Sequence, residues 1–317
     1  MNEVLLFYLA KPKYGGWATF TCHLHKGLSA LGYKPFIIKQ SNKTEKKSRD
    51  YGRKTLYQNL STQDIIQASK KYPCIITAVD KTYYETAATL LAGNTPIVIH
   101  DPTELKQPIT ELTTKAKVIT IRESMLKHIP HSTYLPHPYH AKTKLQTNTN
   151  RKPAVSLSRI DFDKHTEIII EANKSLATPI DIYGYMNTIY SHFKLDAINP
   201  DWKNNYHGTF TADNLWEATD IATRYERVVD MSVIKKDGGG TQYTFLEAAN
   251  AGAHLILNEG WQPTGLLADY AHTTQDHNQL KQLCEQQLPD RTQQAQQLLA
   301  HHNAKAIAKR YCETLSW

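Results

Sequence analysis

The chain has 317 residues, 40% of them hydrophobic and 21% charged, and a formal net charge of +7. That length suits two medium domains, and no stretch approaches the roughly 18 apolar residues of a membrane span. The cysteines Cys22, Cys74, Cys284 and Cys312 have no close spacing, which argues against a zinc site and a disulfide framework and fits a reducing cytoplasm. Charge is unevenly spread: residues 1–150 carry +11 and residues 151–317 carry −4. A basic half joined to an acidic half fits either a face that meets a polyanion or a merely solubilising surface.

The start, MNEVLLFYLAKPK, lacks the basic n-region of a signal peptide, so Glu3 to Leu9 reads as a first strand. Gly15 and Gly16 then precede a helix-period segment with Phe20, Leu24, Leu28 and Leu31, closed by Gly32 and followed by a strand from Lys34 to Lys39. Glycines at the first turn of a βαβ unit mark the place where open α/β sheets bind ligands. Residues 39–58 form a polar loop holding Lys43, Lys46, Lys47, Arg49, Arg53 and Lys54, with Tyr51 and Tyr57 interleaved. Such a loop either tracks a nucleic-acid backbone and stacks on bases or is simply solvated. Further on, Cys74 to Val79 and Thr95 to Ile99 read as strands. The second of these delivers His100 and Asp101 at its carboxyl end, ahead of Pro102. Lys117 to Ile121 reads as another strand, with Arg122 to Ser124 opening a helix, and Pro130 to Asn150 as a loop and linker.

From Lys152 the composition shifts, and a strand at Ala154 to Leu157 leads into a loop with Arg159 and Lys164 before a helix at Thr166. Two cations on the way into a helix can clamp a diphosphate; the alternative is a surface ion-pair loop with Asp161 and Asp163. Pro179 to Gly184 reads as a strand and turn. The most informative stretch is Val228 to Trp261: an apolar strand to Ile234, then Asp237, Gly238, Gly239, Gly240 and Thr241, then a helix with Glu247 inside its apolar half. Glycines opening a helix aim free N–H groups at an anion, and a carboxylate at Glu247 is costly there unless it is hydrogen-bonded. The remainder, His277 to Leu315, reads as helical.

The run YTFLEAANAG resembles the second half of the Glu-x7-Glu motif of retaining glycosyltransferases with the GT-B fold, with Glu247 as the second Glu. The first Glu of that motif falls on Gly239, and the nearest acid is Asp237. It is particularly similar to the members that glucosylate phage DNA. The resemblance implies an α/β chain of two Rossmann-like domains facing across a cleft: an acceptor-side domain at 1–150 and a donor domain at 151–317, with a terminal helix crossing back. It also implies that Arg159 and Lys164 stabilise the leaving phosphate, that His100 and Asp101 line the reacting sugar and acceptor, and that Glu247 holds ribose hydroxyls. Gly15 and Gly16 would face the diphosphate, while Gly184 and His207, Gly208 and Thr209 of NNYHGTF would lie around the nucleotide.

The expected activity is therefore metal-independent, retaining transfer of a hexose from a UDP-sugar, with no cofactor besides that donor. Charge and resemblance agree on DNA with hydroxymethylated pyrimidines as acceptor, bound through Lys43, Lys46, Lys47, Arg49, Arg53 and Lys54. A lipid, wall-polymer or small acceptor is the alternative within enzymes, and a non-catalytic nucleotide-sugar or nucleic-acid binder the alternative outside them.

Overall fold

The computed structural model describes residues 3–10, 15–40, 57–105, 109–114, 116–145, 150–210, 214–234 and 239–317. Lys43, Lys46, Lys47, Arg49, Arg53, Lys54, Asp237 and Gly238 lie outside the described residues.

The described residues form two parallel sheets. The first contains β1 (Glu3–Leu9), β2 (Lys34–Gln40), β3 (Tyr57–Leu60), β4 (Cys74–Val79), β5 (Ile97–Ile99), β6 (Val118–Thr120) and β7 (Thr133–Tyr134), in the order β3-β2-β1-β4-β5-β6-β7. The second contains β8 (Lys152–Ser156), β9 (Asp181–Ile182), β10 (Tyr225–Asp230), β11 (His254–Asn258) and β12 (His272–Thr274), in the order β12-β11-β10-β8-β9. Helices cover both faces, so the central strand β1 is apolar from its second residue on: Val4 to Leu9 are all buried. Each sheet has a point where the chain reverses its direction of travel, between β1 and β4 in the first and between β8 and β10 in the second. Crevices at such points, outside the carboxyl ends of the strands, are where this architecture holds ligands.

Several elements differ from the sequence expectations. Strand β10 stops at Asp230, because the Asp230 carboxylate turns back to accept the Ser232 N–H at 2.9 Å; Met231 to Ile234 are irregular. Arg122 precedes a 3-10 turn, Glu123–Lys127, where a helix was expected. The expected loops contain β3 and β7, both short edge strands whose polar sequences carry little apolar signal. The carboxyl-terminal helical run is three helices, His277–Glu285, Thr292–His301 and Ala304–Leu315, with Pro289 in the first interruption and the Asn303 side chain capping the last helix through Ala306 N–H at 3.0 Å.

The last helix packs against α1 (Gly16–Ala30), and the contact needs a glycine. A Cβ on Gly27 would stand 2.2 Å from the Ala304 carbonyl oxygen and 3.0 Å from the Ala308 Cβ. One buried apolar cluster runs through this contact, from Leu24 and Leu28 to Ile307 and Tyr311 and on to Phe245 and Leu246. Gly27→Ala would gain about 1 kcal/mol of helix propensity but incur about 1–3 kcal/mol of overpacking against backbone that cannot swing away. The expected net result is a lower urea midpoint at unchanged m-value; a higher midpoint would show that the two helices separate freely.

Candidate active site

At the reversal point of the second sheet, the segments after β8 and β10 meet. Asp161 caps the single turn Phe162–Lys164 by accepting the Phe162 N–H at 2.9 Å, and His165 then takes a left-handed conformation, φ 44°. This geometry sends Lys164 inward. It is 9% exposed and its Nζ donates to Ser232 Oγ at 2.8 Å. Ser232 in turn donates its hydroxyl to Asp230 Oδ1. Asp230 is buried, and its second oxygen has no hydrogen-bond partner among the described residues. Lys164 forms no ion pair among the described residues, so a buried ammonium stands here with a hydroxyl as its partner. Arg159 behaves differently: it is exposed and paired with Asp161 at 3.1 Å and Asp163 at 3.0 Å. The two cations, read together from the sequence, are thus separated into one buried and one on the surface.

Beside Lys164 the connection from β10 ends in Gly239 and Gly240, with φ +66° and +82°, which favours glycine at both. A Cβ on Gly239 would also meet Ile234 Cδ1 at 2.6 Å. Trp261 Nε1 fixes the turn by donating to the Gly240 carbonyl at 2.9 Å. Thr241 is half-buried and leads into the helix Tyr243–Asn250, whose first turn no side chain caps. Its amino end therefore presents backbone N–H groups. Glu247 is buried on this helix near Tyr139. Burial first, and the Glu247 charge second, push the Tyr139 phenol well up. That phenol bonds Thr219 Oγ1 at 3.0 Å and Asn250 Oδ1 at 3.1 Å.

The facing wall comes from the first sheet. His100 follows β5 and is buried; its Nε2 donates to the Thr77 carbonyl at 2.8 Å, and burial lowers its pKa to about 4. The imidazole is therefore neutral, with Phe20 edge-on at 4.8 Å and Trp17 at 6.3 Å. Asp101 caps the turn Pro102–Glu104 through Thr103 N–H at 2.8 Å, and so fixes Glu104. Glu104 accepts from Trp17 Nε1 at 2.7 Å and from the His100 N–H at 2.9 Å. Its carboxyl is pushed up to about 8, by burial first and by the Asp101 charge second. Gly15 and Gly16 start α1, and a Cβ on either would meet nothing within 4 Å. Deeper in, His23 stacks on Tyr243 at 5.1 Å, and buried His137 meets the same ring edge-on at 5.1 Å.

The two walls touch through Arg122, which sequence reading took for the start of a helix. Its Nε donates to the His100 carbonyl at 3.0 Å and Nη1 donates to the Gly239 carbonyl. Arg122 follows β6 as His100 follows β5, and that shared position at adjacent strand ends is the signal that identifies it. Ser232, Asp230 and Glu104 were also missed, since nothing local distinguishes them from ordinary caps.

Gly184 and His207 to Thr209 follow the edge strand β9, and Gly184 lies against the Ser158–Arg159 backbone. Gly184, φ +142°, is required because a Cβ would stand 2.0 Å from the Ser158 carbonyl oxygen; its N–H donates to the Gly208 carbonyl at 2.9 Å. His207 bonds buried Asp181 at 2.9 Å and stacks on Tyr183 at 4.9 Å. His207 and Thr209 line a hollow of about 510 Å³ whose walls include none of Lys164, Gly240 or Glu247. Among the described residues, no three His, Cys, Asp or Glu side chains group as a metal site would require, and no helix is long and apolar enough to cross a membrane.

Two parallel Rossmann-like sheets with such a site at their facing carboxyl ends are the GT-B fold of glycosyltransferases, and comparison with solved structures agrees. HepE (Alr3699) of Anabaena, in complex with UDP and glucose, matches with a TM-score of 0.72 and 13% identity over 100% of both chains. An α-glucosyltransferase in complex with UDP and a 13-mer DNA containing a HMU base matches with a TM-score of 0.73 and 12% identity over 99% of each chain. The lipopolysaccharide outer core galactosyltransferase WaaB matches with a TM-score of 0.64 and 13% identity over 99% of each. No protein-family model and no curated protein matches the sequence.

Proposed function

We propose that the chain is a retaining, metal-independent glucosyltransferase that uses UDP-glucose and acts on hydroxymethylated pyrimidine in DNA. The donor half rests on Lys164, a buried ammonium beside the glycine turn with Ser232 Oγ at 2.8 Å. The ammonium reaches buried Asp230 only through that hydroxyl, which leaves it donors for a diphosphate over the turn. Arg159 would join from the rim; surface ion pairs such as those to Asp161 and Asp163 are worth only about 0–1 kcal/mol, so a phosphate can displace them. Glu247 would take ribose hydroxyls, while Gly208 and Thr209 take the base. His100 would line the reacting sugar, with Asp101 fixing the turn beside it. In this reading residues 151–317 hold the donor and residues 1–150 the acceptor.

The acceptor half is supported by the +11 charge of residues 1–150 and by the fold shared with an α-glucosyltransferase seen on DNA. Labelled UDP-glucose incubated with hydroxymethylcytosine DNA, and separately with unmodified DNA, tests both halves. Label on the modified DNA alone, unchanged by EDTA, is the expected result. Consumption of UDP-glucose with neither DNA labelled would replace DNA with a lipid, polymer or small acceptor. Absence of any UDP-induced thermal stabilisation would leave only a nucleic-acid binder.

A further inference from the structure

The connection between β10 and the helix Tyr243–Asn250 is held at both ends by a cation. At its start Lys164, from the same half, donates to Ser232; at its end Arg122, from the facing half, donates to the Gly239 carbonyl. The second contact of Arg122, to the His100 carbonyl at 3.0 Å, ties it to the wall proposed to line the sugar. The titratable neighbours of this guanidinium include His100, His137 and Glu104. Both imidazoles are kept neutral, chiefly by burial, and Glu104 holds its proton up to about pH 8, again chiefly through burial. The guanidinium cannot lose its proton, so it is the permanent positive charge at this point of the facing wall. Its bond to Gly239 uses a neutral carbonyl, a weaker partner than a phosphate met by a planar fork.

We propose that Arg122 is a catalytic residue of the transfer, leaving the Gly239 carbonyl for the departing phosphate of the donor. The inference rests on the UDP-glucose reading above. In the step, the bond from the anomeric carbon to the phosphate oxygen breaks with its electron pair on that oxygen. A bond forms from the acceptor oxygen to the same carbon, and the acceptor's hydroxyl proton passes to the departing phosphate. Arg122 exchanges no proton; it supplies charge from the side opposite Lys164. Because one cation comes from each half, the departing oxygen is fully compensated only with both walls in place around the donor.

The test uses the full chain with Arg122→Ala and Arg122→Lys, measuring UDP-glucose turnover, UDP affinity and melting temperature. Arg122→Ala is expected to lower kcat by about 100-fold, with a much smaller change in UDP affinity, because the leaving oxygen gains its charge as the bond breaks. Added guanidinium is expected to restore at least tenfold of that loss in Arg122→Ala and to do nothing for wild type. A tether between the halves with no chemical part would not be replaced by a free cation. Loss of kcat with no rescue by guanidinium and none in Arg122→Lys therefore overturns the proposal, as does wild-type kcat in Arg122→Ala. Wild-type protein that neither binds UDP nor consumes UDP-glucose overturns the donor reading together with it, and that failure is visible before any variant is made.

Discussion

Lys164→Met is expected to lower UDP-glucose turnover by about 10²–10³-fold, the loss typical of removing one preorganised donor to a developing oxyanion. The same change is expected to lower the melting temperature of the free protein as well. Lys164 reaches the buried Asp230 carboxylate through Ser232 Oγ, and a methionine at this position leaves that carboxylate without its cation. The stabilisation that UDP gives should shrink in parallel, because ligand binding to the native state sets its size. Arg159→Ala acts at the rim and is expected to have a smaller effect on UDP affinity, since its charge is exposed and already shared with Asp161 and Asp163. Melting curves with and without UDP, alongside initial rates, check all three statements. A Lys164→Met protein that keeps both its turnover and its UDP shift would remove the diphosphate from this part of the cleft.

Acid should unfold the protein over a defined window. Burial lowers the pKa of His100 to about 4, and burial also lowers that of His302, which donates from Nδ1 to the His137 carbonyl at 2.8 Å, to about 4. Each group binds a proton more weakly folded than unfolded, where its pKa is about 6.5. The unfolded chain thus holds the extra protons between about pH 6.5 and pH 4, and stability falls as pH drops through that range. A difference of this size is worth on the order of 3 kcal/mol per group. Two such groups remove a large part of the roughly 5–15 kcal/mol that holds a typical domain folded. Asp181 responds lower: burial pushes its pKa up, but hydrogen bonds from Lys152, His207 and Tyr225 outweigh that and hold it below its usual value. Its contribution is lost only as pH falls below about 4. Glu104 acts in the other direction; with its carboxyl pushed up to about 8, it weakens the fold as pH rises from about 4.5 toward 8, by an amount reduced by its partial exposure. Urea midpoints at pH 7, 6, 5 and 4.5 test this, with His100→Gln, whose amide can still donate to Thr77, flattening the slope. A His100→Gln protein whose midpoint falls with pH as steeply as wild type would mean that this imidazole is not a source of the acid loss.

Much of this architecture is carried by local pattern. The apolar runs Glu3–Leu9, Cys74–Val79 and His254–Asn258, separated by helix-period segments, dictate a parallel α/β chain, because strands buried on both faces need continuous apolar residues. Gly239 and Gly240 at the start of a helix, and His100 after β5, are legible in the same way, since backbone freedom and strand-end position are local properties. The strands β3, β7 and β12 are not, because their edge sequences acquire strand conformation only from the neighbour they pair with.

The tertiary structure alone decided which groups share the cleft. Arg159 and Lys164 are five residues apart and read as a pair, yet a left-handed His165 and the serine beyond β10 bury one while two aspartates keep the other outside. Lys164 meets Ser232 across 68 residues of chain, and Arg122 meets Gly239 across 117. Those distances are set by the order in which strands lie in each sheet and by how the two sheets face each other. A sequence specifies the strands through side-chain periodicity. The long crossovers that fix their order leave no periodic trace, so the partners of Lys164 and Arg122 exist only once the chain has closed on itself.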